Sequence, residues 1–137
     1  MKFFPQHYYQ IIRCNKAIKE EKTMPYIELK TTVSISPEKS QSLKAAFGKA
    51  IECFPGKSES WLMVNISGNQ DMYFKGSNKT DCAMVSVDLL GKVSSAASEQ
   101  MTSVLCGVLS KELSLEPDRI YVKYAGFSDW GWNGGNF

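Results

Sequence analysis

Histidine is absent from residues 24–137, because the single histidine of the chain, His7, precedes them. Without an imidazole, this region cannot form Ser-His-Asp or Cys-His catalytic pairs or a histidine metal site. Cysteine pairs at Cys-x-x-Cys spacing are also missing, since Cys14, Cys53, Cys82 and Cys106 are dispersed. Three isolated thiols after residue 23 predict a reduced, cytoplasmic protein rather than a disulfide framework.

Long apolar runs and a large charge excess are missing as well. No segment approaches the roughly 18 apolar residues of a membrane-spanning helix. The formal charge is +2, but five basic and two acidic residues give residues 1–23 a charge of +3, which leaves −1 for residues 24–137. Nucleic-acid binding needs a basic face, and this region lacks the charge for one. We therefore expect no membrane and no nucleic acid among the partners.

A basic segment of 23 residues precedes Met24. Its apolar residues are scattered, so it lacks the continuous apolar core of a signal peptide. A weak helix from about Gln6 to Lys22 is one interpretation, and a mobile arm is another. Lys and Glu codons are purine-rich, so residues 19–22 lie where a bacterial gene would carry a ribosome-binding site. We favour a mis-assigned start, with residues 24–137 forming the one domain and residues 1–23 an extension outside it.

The first half of the domain has a strand–helix–strand pattern. Apolar and polar residues alternate from Tyr26 to Ile35, which predicts a half-buried strand. Ser36-Pro37-Glu38 is typical of a helix start, and Pro55-Gly56 ends the apolar stripe that follows. Trp61 to Ser67 is almost entirely apolar and predicts a second strand in the centre of the sheet.

The second half repeats this order. Cys82 to Leu90 alternates as a strand, an apolar stripe from Ala97 to Leu109 predicts a helix, and Arg119 to Ala125 alternates again. Two such units predict an α+β fold in which two βαβ units form one four-stranded sheet with both helices on one face. We expect the other face of the sheet to be apolar, and therefore covered by further subunits.

Short motifs in this order resemble the macrophage migration inhibitory factor family of the tautomerase superfamily. The resemblance runs from residue 24 to residue 137. The motifs that carry it are Met24-Pro25, Pro55-Gly56-Lys57, Gly76-Ser77, Leu90-Gly91-Lys92, Pro117-Asp118-Arg119-Ile120-Tyr121 and Gly131-Trp132-Asn133-Gly134 with Phe137.

The resemblance implies both an assembly and an activity. It implies a homotrimer whose sheets surround a central channel and whose active sites lie between adjacent subunits. It implies keto–enol tautomerisation of phenylpyruvate-like or dopachrome-like substrates, with no metal and no cofactor.

The resemblance also assigns roles to individual residues. Pro25 matches the catalytic N-terminal proline, whose secondary amine acts as general acid and base when it is free. Lys57 matches the lysine that binds the substrate carboxylate. The other pocket residues would be Leu90, the neighbouring subunit's tyrosine at position 121, and the walls Tyr26, Trp130, Trp132 and Phe137.

The sequence departs from the family pattern at three places. Lys123 stands where some members have asparagine, which would add a positive charge at the pocket mouth and favour anionic substrates. Val85 stands where animal members complete a Cys-x-x-Cys with the residue at Cys82, so we infer no thiol–disulfide activity. Pro25 is internal in the 137-residue chain, and an amide nitrogen has no basicity.

A second function stays open at this point. Some family members signal through receptors, so the chain could be a cytokine-like or regulatory trimeric binding protein with weak or no catalysis. That role would imply a receptor partner and secretion by a route independent of a signal peptide.

Overall fold

The computed structural model describes residues 24–137; the predictions made for residues 1–23 lie outside this range. Each half of the domain contains a strand, a helix and a second strand, as the sequence predicts. The elements are β1 (Pro25–Thr31), α1 (Pro37–Ala50), β2 (Met63–Ser67), β3 (Ala83–Leu90), α2 (Ser95–Leu113), β4 (Ile120–Phe127), β5 (Gly131–Trp132) and β6 (Gly135–Asn136).

Serine side chains begin both helices. The Ser36 hydroxyl accepts a hydrogen bond from the Lys39 backbone N–H, and Ser94 accepts one from the Ala97 N–H, so each satisfies a donor that the first turn leaves free. α1 ends before the predicted Pro55-Gly56, because its last turn tightens into a 3₁₀ helix at Ile51–Cys53. α2 ends at Ser114, which adopts a left-handed conformation with φ of 57°.

The four long strands form one mixed sheet in the order β2-β1-β3-β4. β1 pairs in parallel with β2, and β3 pairs in parallel with β4, as expected of strands joined by a helical crossover. β1 and β3 are antiparallel neighbours at the centre, with Pro25 opposite Leu89. This register brings the start of β1 to the end of β3.

Both helices cover the same face of this sheet and enclose the core. Alternate residues of β1 and β3 lie in it with apolar residues of α1 and α2, and Phe47 and Met101 are completely buried. Thr31 is the only buried polar residue among residues 24–137, and its hydroxyl donates to the Cys82 carbonyl at 2.8 Å. The helix-covered face was correctly predicted by the alternation in the strands.

The prediction of a central position for the second strand is wrong. β2 is an edge strand that begins at Met63, while Trp61 belongs to a short 3₁₀ helix, Glu59–Trp61. The apolar appearance of the segment has two causes, since Trp61 precedes the strand and Met63 is an exposed edge residue. Among residues 24–137, β1 is the only strand that pairs with β2, and the other flank of β1 pairs with β3.

The expected apolar character of the uncovered face is also wrong. Its rows of side chains are mainly polar, with Glu28 next to Asn65 on one side and Ser86 on the other, and Lys123 beyond Ser86. The strands look apolar in the sequence because their core-facing positions are uniformly so. Oligomerisation therefore has to be argued from the site and not from this face.

The last ten residues fold back as a small hairpin of β5 and β6, closed by a hydrogen bond from the Phe137 N–H to the Trp130 carbonyl at 3.0 Å. No helix within residues 24–137 combines the length and hydropathy needed to cross a bilayer.

Candidate active site

Pro25 lies buried at the amino end of the central strand β1. Its alternation with Ile27 and Leu29 directs it to the helix-covered side of the sheet. The residue before it, Met24, is only 5% exposed, so the Met24–Pro25 peptide bond is enclosed by protein. The pyrrolidine nitrogen is therefore an acylated amide in a desolvated corner, and it has no basicity while Met24 is attached.

Lys57 reaches the same corner from the loop after α1. A turn at Gly56, with φ of 80°, precedes it, and the Lys57 N–H donates to the Phe54 carbonyl at 3.1 Å. The side chain is half-buried, and its ammonium donates to the Leu90 carbonyl at 3.2 Å. Burial lowers the pKa of the Lys57 ammonium from its ordinary value, since desolvation disfavours the charged form.

Leu90 connects this cation with the amino end of β1. Its carbonyl accepts from Lys57, and its own N–H donates to the Met24 carbonyl at 3.2 Å. Its side chain is 7% exposed. We call Pro25, Lys57 and Leu90 the proline corner. The structure thus brings these three sequence-predicted residues together by one chain of hydrogen bonds and by the pairing of β1 with β3.

Two of the predicted aromatic walls, Trp132 and Phe137, form a cluster with a third aromatic residue. Trp132 stacks on Phe137 with ring centroids 6.2 Å apart, and it meets Trp61 edge-on at 5.1 Å. Trp61 lies two residues before the start of β2, where Met63 pairs with Tyr26. The cluster therefore lies at the end of the sheet where β1 begins.

Trp130 and Tyr26 do not join this cluster. Trp130 packs against Phe127 at 6.0 Å and lines an open depression of about 340 Å³ with Asp88, Asp129 and Gly131. Two carboxylates there make the depression unsuited to an anionic substrate. The Tyr26 hydroxyl donates to Glu28 at 3.0 Å, which holds this side chain on the uncovered face of the sheet and away from Pro25.

Tyr121 lies at the opposite end of the sheet. It pairs with Met84, whereas Pro25 pairs with Leu89, and five residues of extended chain span about 17 Å. The ring is 61% exposed and rests edge-on against Phe74 at 4.8 Å. Within one subunit, Tyr121 cannot contact a substrate at Pro25.

Phe74 and Arg119 hold Tyr121 in this position. The Arg119 guanidinium lies 4.8 Å from the centre of the Phe74 ring and donates to the carbonyls of Thr80 and Asp81 at 2.9 and 3.1 Å. Phe74 forms a tight bridge with Ser77. We call Phe74, Arg119 and Tyr121 the tyrosine end.

Lys123 in β4 is exposed on the uncovered face, opposite Ser86 in β3. It is three residue steps, or about 10 Å, from the level of Leu89 and on the other side of the sheet from Pro25. Like Tyr121, it is too far from Pro25 within one subunit to act on the same substrate.

Three residues of these clusters were missed by the sequence analysis. Trp61 was assigned to a strand, although a tryptophan shortly after Lys57 could have been considered as a wall. Phe74 and Arg119 had no such signal, because their contact depends on the path of the long loop between β2 and β3. Within residues 24–137, no group of His, Cys, Asp or Glu side chains is arranged to hold a metal ion.

Two βαβ units that share one mixed sheet under a pair of helices define the fold class of the tautomerase superfamily, whose members are generally isomerases. The family profile of macrophage migration inhibitory factor matches residues 24–137. The chain belongs to the macrophage migration inhibitory factor family.

Individual relatives agree with this assignment. The mouse macrophage migration inhibitory factor is 36% identical over 84 residues, which cover 60% of this chain and 72% of that protein. The Xenopus laevis protein is 28% identical over 116 residues, or 83% of this chain and 99% of its own. The crystal structure of Leishmania major MIF2 superposes with a TM-score of 0.77 at 32% identity, covering 83% of this chain and 97% of that one.

Proposed function

We propose that this protein is a cofactor-independent keto–enol tautomerase of phenylpyruvate-like or dopachrome-like substrates, active when its first residue is Pro25. The observation that carries the proposal is the proline corner. A buried proline nitrogen, a partly desolvated cation and a backbone donor meet there at one end of the sheet.

Removal of Met24 changes Pro25 from an amide into a secondary amine. Terminal α-amines titrate near about 7.7–8.0, and burial beside the Lys57 ammonium disfavours a second positive charge. The free amine takes a proton from the carbon next to the ketone. The C–H electron pair becomes the C=C bond of the enol, and the carbonyl oxygen receives a proton in return.

The same cleavage frees a hydrogen-bond donor. The Leu90 N–H donates to the Met24 carbonyl in the longer chain, so loss of Met24 leaves it directed at the space beside the amine. A substrate carboxylate fits there, because the Lys57 ammonium lies within hydrogen-bond reach of the Leu90 carbonyl and supplies the opposite charge.

The remaining residues would come from a second copy. Tyr121 and Lys123 lie too far from Pro25 in their own subunit, so a homotrimer with sites between subunits would bring them to a neighbour's proline corner. The Trp61–Trp132–Phe137 cluster would exclude water at the same end of the sheet and strengthen the electrostatic contacts. The free thiols Cys53, Cys82 and Cys106 fit a reduced, cytoplasmic protein.

The test compares phenylpyruvate enolisation by three proteins: one that begins at Pro25, its Pro25→Gly variant, and the full 137-residue chain. We expect activity only in the first, because a glycine amine is a primary base on a flexible residue, and in the full chain the nitrogen of residue 25 is an amide. Equal activity in all three, or none in any, would contradict the proline mechanism.

A second candidate is a regulatory or cytokine-like trimer with weak or no catalysis. The burial of the acylated Pro25 favours it for any form that retains residue 24. Native protein whose mass includes Met24, and which forms a trimer without enolising phenylpyruvate, would favour this alternative, with a receptor as partner and secretion as its route.

A further inference from the structure

The C-terminal hairpin turns through Asn133 and Gly134. Both have positive φ, 53° and 83°, which fits the type I′ turn that an Asn-Gly pair favours between two strands. The strands β5 and β6 contain only two residues each, and all six residues from 131 to 136 are exposed. So short a ladder opens at little cost in free energy.

Asn133 differs from three other asparagines of the domain in whether the backbone N–H of the following residue is hydrogen-bonded. The N–H after Asn69 donates to the Thr31 carbonyl at 3.0 Å, the one after Asn78 to the Ser77 hydroxyl at 3.1 Å, and the one after Asn136 to the Trp130 carbonyl at 3.0 Å. The Gly134 N–H makes no backbone hydrogen bond within residues 24–137.

Space around the turn is also open. A Cβ atom placed on Gly134 or Gly135 would meet no heavy atom within 4 Å. The Asn133 side chain forms no hydrogen bond to another of the described residues. Glycine after asparagine removes the side chain that would otherwise hinder approach of the backbone nitrogen to the side-chain amide.

We propose that Asn133 is a site of spontaneous deamidation in this protein. The Gly134 nitrogen attacks the Asn133 side-chain carbonyl carbon, the new N–C bond closes a cyclic imide, and the side-chain nitrogen leaves as ammonia. Water then opens the imide at either carbonyl. One product is aspartate, and the other is isoaspartate, in which the main chain runs through the former side chain.

The modification acts on the aromatic cluster. Trp132 precedes the turn, and its ring contacts Trp61 and Phe137. Isoaspartate lengthens the backbone of a two-residue turn and disturbs the pairing of Trp132 with Gly135. Aspartate adds only a charge at an exposed position. Isoaspartate, and not aspartate, is therefore expected to loosen the cluster.

The experiment incubates the full 137-residue chain at 37 °C in mildly alkaline buffer and follows each asparagine by peptide mapping with isoaspartate detection. We expect residue 133 to react at least about tenfold faster than residues 69, 78 and 136, since their following N–H groups are hydrogen-bonded and their following residues carry side chains. Equal rates, or an unreacted residue 133, would overturn the proposal.

Two controls separate the fold from the local sequence. In urea the hydrogen bonds at the other three positions are lost. The rate at residue 133 divided by the rate at each of the other three asparagines must therefore fall below its value in the folded protein. A larger ratio in urea would mean that the folded turn protects Asn133. The Asn133→Gln variant cannot close the same ring readily and must lose the acidic species. Trp fluorescence must change with isoaspartate and stay unchanged in Asn133→Asp.

Discussion

The two ends of the sheet use their cations differently. At the proline corner, the Lys57 ammonium is half-buried and makes one hydrogen bond to the part of the chain that the structure describes, to the Leu90 carbonyl. At the tyrosine end, the Arg119 guanidinium donates to two carbonyls and covers the Phe74 ring. Within residues 24–137, Lys57 therefore uses one of its three N–H donors, whereas Arg119 uses two N–H donors and the face of its guanidinium to hold an aromatic group in place.

This difference fits the proposal that each end of the sheet supplies one half of a shared site. Under the proposed function, the proline corner would offer the base and the anion-binding groups, and the tyrosine end would offer its exposed ring, which rests on Phe74. In one subunit the two are about 17 Å apart along the strands. Only assembly of several copies would bring them together.

The largest expected effect comes from mixing two inactive variants. In proteins that begin at Pro25, Pro25→Gly should abolish the base and Tyr121→Ala should remove the partner ring. Co-refolding equal amounts should recover about a quarter of the wild-type activity, because in a cyclic trimer one site in four combines an intact proline with a neighbour's intact tyrosine. The measurement is phenylpyruvate enolisation after mixing.

A mixture that stays inactive, although size-exclusion chromatography with light scattering shows mixed trimers, would contradict the proposal that the two ends of the sheet form one site between subunits. Mixing Pro25→Gly with itself supplies the blank.

The next effect concerns the cation of the proline corner. Lys57→Met should lower kcat/KM for phenylpyruvate by about tenfold to a hundredfold, since a charge-assisted hydrogen bond contributes about 1.5–3 kcal/mol. The free energy of unfolding should stay the same or rise slightly, because folding of the variant no longer removes an ammonium group from water. Lys92→Met, two residues beyond Leu90 and exposed, is the control and should leave the rate unchanged.

The pH dependence of the same residue sharpens the comparison. Burial lowers the pKa of Lys57, so between its folded and unfolded values the unfolded chain binds more protons than the native one. Stability therefore rises with pH across that window, and Lys57→Met should remove this slope from denaturation curves. The affinity for a carboxylate should fall with rising pH earlier than an exposed lysine would allow. A KM that is flat through that range would contradict this role.

A smaller effect is expected at the tyrosine end. Arg119→Met keeps the aliphatic chain but loses the cation over Phe74 and two hydrogen bonds, which should lower the free energy of unfolding by about 1–2 kcal/mol. Lys75→Met is the matched control, because Lys75 lies 5.6 Å from the same ring without those bonds. Chemical denaturation measures both, and equal losses would show that Arg119 is not the anchor.

The smallest effect should come from Leu90→Ile. The backbone N–H and carbonyl of Leu90 carry its contacts in the proline corner, so an isomeric side chain should change kcat/KM less than about twofold and stability by less than about 1.5 kcal/mol. A tenfold loss of activity would mean that the Leu90 side chain shapes the pocket more than its backbone does.

Local patterns were enough to predict most of the fold. The alternation in β1 and β3 correctly identified the core face, and the predicted helix start at Ser36 is confirmed, whereas the Ser94 cap was not predicted. The position of β2 could not be derived, because strand order depends on which neighbours compete for β1 and not on the hydropathy of the strand. The polar character of the uncovered face was missed, because the apolar residues that alternate with the polar ones made each strand look apolar as a whole.

The candidate site, like the fold, could be predicted from the sequence only in part. The structure brings Pro25, Lys57 and Leu90 together, and the roles that the resemblance gives them stay predictions. The order of these residues along the chain does not show that they meet, because their proximity depends on the register of β1 against β3. The support of Tyr121 by Phe74 and Arg119 depends on a loop without periodicity. Tyr26 illustrates a further limit, since a residue next to a catalytic candidate in sequence points to the other face of the strand.

The central place of β1 has a practical consequence for anyone who labels or immobilises the protein. β1 has hydrogen-bonded neighbours on both flanks, and Pro25 lies at the tip of the sheet, near the contact between the Lys57 ammonium and the Leu90 carbonyl. Amine-directed dyes or surfaces attached at the amine of Pro25 would compete with small molecules for the same entrance beside Lys57. Attachment to an exposed helix lysine such as Lys49 or Lys111 would leave that entrance clear.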